Sequence, residues 1–201
     1  MLRHLRVATL AELHDGSLPR RVHAPLETPV PKWLWTERSF RFDYPVEKWP
    51  DLLERVRGTP ARLEERLRTL PRETLIRKPE SGWSIQENVG HLVDLGYLPV
   101  QRIEQILAGE ATLIAADIGN RKTNEADHNS RAIGELLAEF RADRARLVAT
   151  FESLSEDDWA KAALHPRLKQ PMRIVDIAYF DAEHDDYHLG RIGELLRVFS
   201  R

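Results

Sequence analysis

A chain of 201 residues is long enough for one domain with a substantial core. Its 30 Lys plus Arg against 32 Asp plus Glu leave a net charge of -2, which gives no bulk electrostatic reason to bind nucleic acid or an anionic membrane. It has no cysteine, so disulfides, thiolate metal sites, iron–sulfur clusters and a cysteine nucleophile are excluded, and a metal would have to be held by His and carboxylate. No apolar run approaches the roughly 20 residues of a membrane helix. Residues 1–8 lack the continuous apolar segment of a signal peptide, so the default expectation is a cytoplasmic protein.

Residues 1–47 read as an irregular N-terminal arm. Half of the twelve prolines precede Asp51 and no helical period survives. Trp33, Leu34, Trp35, Phe40, Phe42 and Tyr44 nevertheless need burial, so the arm should pack on the body of the protein or on a partner subunit. A passive strap is the simpler expectation; a wall of the active site is the sharper one. Phe40–Tyr44 alternates with period two, as a short extended segment would.

Residues 48–201 read as one bundle of four helical patterns. Leu52, Val56, Leu63, Leu67 and Leu70 keep helical steps in the first. Gly58-Thr59-Pro60 interrupts it, either as a kink in one rod or as a new start capped by Thr59. The second opens with the capping box Ser84…Glu87 and continues through Val89, Leu92, Val100, Ile103 and Leu107, bent at Pro99 and ended by Gly109. A long connection follows over 109–128, holding Asp117, Asn124, Asp127 and His128; connections of that length are often functional. Asn129 or Ser130 should cap the third helix, lined by Ile133, Leu136, Leu137, Phe140, Leu147 and Phe151. Arg144 falls in the same stripe, where snorkelling to the bundle end is favoured over pairing with an inward carboxylate. A second irregular connection through His165 and Pro171 leads to the last helix, from about Met172 to Phe199.

That last helix carries the informative departure. Ile174, Ile177, Ala178, Ile192, Leu195 and Phe199 share a face, yet Asp181, His184, Asp185 and His188 take core positions on it for two turns. Ionisable groups aimed at a core are costly unless something pairs with them. His184 and His188 are four apart, so both rings can reach one ion. Of the eight histidines, only His91 lies on another helix close to its inward face, which makes it the best third ligand. Asp181 could accept a ring N–H from a ligand, Asp94 could act as a base, and Tyr187 could offer a phenol. His128 and His165 sit in loops that could close over the site. A dinuclear carboxylate site is disfavoured, because Glu54, Glu64 and Glu135 do not fall clearly on inner faces.

Trp83-Ser84-Ile85-Gln86-Glu87-Asn88-Val89-Gly90-His91-Leu92 and Ala182-Glu183-His184-Asp185-Asp186-Tyr187-His188-Leu189-Gly190 together resemble the DinB-like superfamily, with His165-Pro166-Arg167 and Pro171-Met172 fitting the same group. The resemblance covers about Asp43 to Phe199. It implies an all-α four-helix bundle of up-down-down-up topology. It implies a divalent metal on His91, His184 and His188, with zinc or nickel ahead of iron or manganese, and frequent homodimers. It also implies a metal-dependent hydrolase or a transferase using an external low-molecular-weight thiol, acting on a small molecule; the alternative is a non-catalytic, metal-stabilised binding domain. A metal on three neutral histidines with an open position would suit either chemistry.

Overall fold

The computed structural model describes residues 34–200. Arm residues 1–33, and with them the expectation for Trp33, lie outside the described residues. Among the described residues the α-helices are α1 (Trp49–Leu67), α2 (Arg72–Ile76), α3 (Ile85–Asp94), α4 (Leu98–Leu107), α5 (Arg121–Glu125), α6 (Ile133–Glu152) and α7 (Ile174–Phe199). One antiparallel hairpin, β1 (Ala162–Leu164) and β2 (Pro171–Arg173), pairs Ala163 with Met172 and feeds directly into α7.

The bundle helices are α1, the consecutive pair α3–α4, α6 and α7. α1 and α3 each pack against both α6 and α7, so α6 and α7 face one another across the bundle axis. Two apolar clusters fix the helix directions. One joins Leu52 and Val56 of α1, Ile103 of α4, Leu147 and Phe151 of α6 and Ile174 and Ala178 of α7. The other joins Leu63 and Leu67 of α1, Val89 and Leu92 of α3, Leu136 and Phe140 of α6 and Leu189 and Ile192 of α7. α1 and α7 therefore run one way and α3–α4 and α6 the other, which is the up-down-down-up arrangement. Each fully buried Leu or Ile contributes roughly 1.5–3 kcal/mol of burial energy. A polar layer lies between the clusters. Thr59, His91, Asp94, Arg144, His184, Asp185 and His188 are all buried there.

Several boundaries differ from the sequence expectation. α1 is one continuous rod through Pro60, and the Thr59 hydroxyl donates to the Arg55 carbonyl at 3.0 Å. The second helix is not one bent rod: it stops at Asp94 and restarts at Leu98, with Pro99 in the first turn of α4, where a missing N–H costs nothing. Neither Asn129 nor Ser130 caps α6. They belong to a 3-10 turn, His128–Ser130, and α6 starts at Ile133 after Ala132. Pro171 opens β2, three residues before α7 begins. The Ser84–Glu87 capping box is present as read. Among the described residues no helix is long and apolar enough to cross a membrane.

Candidate metal centre

One turn of α7 puts His184 and His188 on the same face, and α3 presents His91 to them from across the core. One ligand atom from each of the three lies within 4.8 Å of the others, and all three side chains are buried. Ring centroids are 4.7 Å apart for His184–His188, 4.8 Å for His91–His188 and 5.3 Å for His91–His184. Nothing cationic could be packed this closely in an apolar bundle without cost, and the rings respond accordingly. Burial pushes His91 down to about 4, with Asp94 opposing and His128 assisting. Burial, then the neighbouring histidines, hold His184 and His188 well below the usual imidazole range. All three are neutral at pH 7, the state in which imidazole binds a metal. The cluster is thus capable of ligating a divalent ion.

The outward nitrogens fix the tautomers. The Thr123 hydroxyl donates to Asp94 Oδ2 at 2.8 Å, so it can only accept from His91 Nδ1, 3.0 Å away. His188 Nδ1 lies 2.9 Å from Asn88 Oδ1, also an acceptor. Both rings therefore carry their proton on Nδ1 and turn the Nε2 lone pair inward. Asp94 is not solvated. It is buried and accepts from Thr123 and, at 2.8 Å, from His128 Nε2. His128 packs so closely on α3 that a Cβ at Gly90 would lie 2.3 Å from its ring. It does not join the triad. Thr123 and Asn88 were missed from sequence. Asn88 lies one turn before His91 and could have been found by that spacing; Thr123 had no signal beyond the unusual length of its connection.

Arg144 does not snorkel. It is buried and donates to both oxygens of Asp185, at 2.9 and 2.5 Å. Burial alone would lower its pKa, but Asp185 more than offsets this and holds it above the ordinary range. The pair ties α6 to α7 across the bundle axis, one residue from His184. Asp181 does not receive a ligand N–H: its Oδ2 is buried without a hydrogen-bond partner, and burial, countered in part by Arg144, raises it to about 6. Tyr187 packs against Trp35 at 5.9 Å and beneath the Arg38 guanidinium at 4.9 Å.

Two tryptophans flank the triad. Trp83 lies 4.6 Å from His91 and stacks on His188 at 6.2 Å. Trp35 lies 4.9 Å from His184 and 4.9 Å from Phe180. Residues 35–44 thus bring one of their rings against a triad member. His165 is not an exposed loop histidine; it is buried beside Phe180, ring centroids 5.6 Å apart.

A family model described as the DinB superfamily matches residues 55–192. Among solved structures, YfiT from Bacillus subtilis, described as a probable metal-dependent hydrolase with an unusual four-helix bundle topology, aligns with a TM-score of 0.73 at 19% identity, over 81% of this chain and 94% of that one. A mycothiol-dependent maleylpyruvate isomerase aligns with a TM-score of 0.57 at 16% identity, over 73% of this chain and 60% of that one. A protein from Streptococcus pneumoniae aligns with a TM-score of 0.53 at 13% identity, over 80% of this chain and 93% of that one. At these identities the likeness is one of fold. No curated protein matches the sequence.

Proposed function

The chain belongs to the DinB superfamily, and on that premise we propose that it is a metal-dependent enzyme acting on a small molecule, of the hydrolase or thiol-transferase type. The observation that carries the reading is the triad itself: three buried, neutral imidazoles whose ligand atoms lie within 4.8 Å of one another. Nitrogen donors of this kind suit zinc or nickel, and iron less selectively. Held by neutral ligands, a divalent ion keeps its full charge and acidifies a water or thiol that reaches it. A fourth protein ligand would favour a purely structural metal, but His128 is engaged with Asp94 and neither it nor Asp181 joins the cluster.

The chain's own residues supply the rest. Thr123 and Asn88 hold the His91 and His188 protons on Nδ1, which keeps both rings aimed. Trp83 and Trp35 cover the triad with apolar surface and restrict water around it. Because the chain has no cysteine, a thiol taking part must come from a second molecule. The names of the two similar proteins, a probable hydrolase and a thiol-dependent isomerase, support both branches of the reading.

The test begins with metal content. Purified without an affinity tag, the wild type is expected to hold about one divalent ion per chain, and His184→Ala to hold none. Undiminished metal in His184→Ala would overturn the ligand assignment. With loaded protein, ester and amide substrates test the hydrolase branch, and low-molecular-weight thiols paired with electrophiles test the transferase branch.

A further inference from the structure

One turn before His184, α7 passes a second group of polar side chains that the metal centre does not use. His165 directly follows β1 and is 2% exposed. Its Nδ1 accepts the backbone N–H groups of Arg167 and Leu168, at 3.2 and 3.1 Å. With Nδ1 committed as an acceptor, the proton of the neutral ring sits on Nε2, and that N–H is buried without a hydrogen-bond partner. An orphaned buried donor is rare, because leaving it unmade costs about 1–3 kcal/mol.

Arg102 on α4 is 4% exposed. Its Nε and Nη2 donate to the Ile114 carbonyl, at 3.2 and 3.0 Å. No carboxylate among the described residues lies within ion-pair distance of it, unlike Arg144, which has Asp185. Half-buried Arg167 is also without a carboxylate among the described residues; its guanidinium makes one hydrogen bond there, a long one to the Thr36 carbonyl, 3.4 Å. Ile114, whose carbonyl Arg102 holds, follows Leu113, whose N–H donates to the Leu164 carbonyl next to His165; Arg102 and Arg167 both add to the burial that pushes His165 to about 4. Asp181 is the carboxylate nearest in charge to Arg102, yet its Oδ2 makes no hydrogen bond. Two guanidinium ions, one of them buried, and an imidazole N–H thus lie in one neighbourhood, with no carboxylate bonded to them among the described residues. A buried charge is retained when something pairs with it.

We propose that Arg102, Arg167 and His165 Nε2–H form a subsite for a carboxylate group, and that the small molecule processed at the three-histidine centre carries that carboxylate. A guanidinium fork matches a planar carboxylate in two parallel hydrogen bonds, and a neutral N–H donor completes its coordination. Phe180 and Trp35 bridge the subsite to the triad: His165 packs on Phe180, Phe180 on Trp35, and Trp35 on His184. In this arrangement the anion lies on the Phe180 side of the triad, where it anchors the molecule without occupying the ion. Only the assignment as a substrate subsite rests on the metal-enzyme reading; the capacity to hold a carboxylate does not.

The experiment is a titration of the full-length protein with succinate, followed by the NMR signals of the His165 ring and repeated on metal-stripped protein. A saturable shift of the His165 signals in both forms is expected, in the millimolar range and complete by about 50 mM. Arg167→Gln, a half-exposed change that leaves the core intact, should weaken binding about tenfold while leaving metal content unchanged; Arg102→Lys should weaken it similarly because it loses the fork but keeps the charge. No shift by about 50 mM, or binding indifferent to Arg167→Gln, overturns the proposal. Binding that vanishes on metal removal also overturns it, because the anion then sits on the ion. Failure of the metal reading shows separately, as wild-type protein that takes up no metal yet still binds succinate.

Discussion

The two sides of the histidine triad are built on different principles. On the α5 side, His91 and His188 each hand their outward N–H to a named acceptor, Thr123 and Asn88, and Asp94 gathers Thr123 and His128 behind them, with His128 Nδ1 the one ring nitrogen of this group left buried without a partner. On the β1 side, His165 Nε2 and Asp181 Oδ2 are buried without partners, and Arg102 has no carboxylate. A polar group that only positions a ligand can be satisfied within the fold. One that receives a molecule from outside has to be left unsatisfied by it. On the reading proposed above, the α5 side would hold the metal and the β1 side would meet the substrate.

The Arg144–Asp185 pair joins the two sides, and removing it should have the largest effect. Arg144→Met leaves Asp185 charged and buried, so urea unfolding of the metal-free protein should show a loss of about 3–5 kcal/mol. Adding Asp185→Leu should restore most of that loss. If the double variant is as unstable as the single, the pair is more than an isolated compensated charge.

The next effect tests whether the β1 side is desolvated. The Asp181 carboxyl titrates at about 6 in the folded chain against about 3.9 unfolded. A raised carboxyl pKa leaves folding unpenalised below about pH 4 and costs stability as pH rises through 6. Asp181→Asn has no such titration, so its stability relative to wild type should climb between about pH 4 and 6, by up to about 3 kcal/mol. A flat difference across that range would mean that water reaches the carboxyl and that the side is open rather than buried.

The smallest effect belongs to the satisfied side. Thr123→Val removes the acceptor for His91 Nδ1–H and one donor to Asp94. Metal affinity, measured by competition with a chromogenic chelator, should fall about 10- to 100-fold, as for other partners that orient a ligating histidine. Arg167→Gln should leave the same affinity unchanged. Equal losses in both variants would erase the distinction between the two sides.

Much of this protein was legible in its sequence. The Ser84–Glu87 box marked the start of α3, the leucine spacing marked the inner faces, and His184 with His188 stood out because charged residues interrupt an apolar stripe. These signals are local: they depend on helical period and on side-chain chemistry within a few residues. Tertiary structure alone decided what each polar group in the layer does. Arg144 could have reached solvent, but α7 brought Asp185 opposite it. Asp181 looked able to accept a ligand N–H and Asp94 to act as a base; Asp94 was taken by Thr123 and His128, and Asp181 Oδ2 was left without a partner. Thr123, His128 and His165 come from connections between helices, whose course depends on loop closure and packing rather than on any period. A buried polar group takes its role from the partner that reaches it, and those partners lie 32 residues away for His91–Thr123, 41 for Arg144–Asp185 and 100 for His188–Asn88. Sequence periodicity carries no record of such pairings, because they exist only once the four helices have packed.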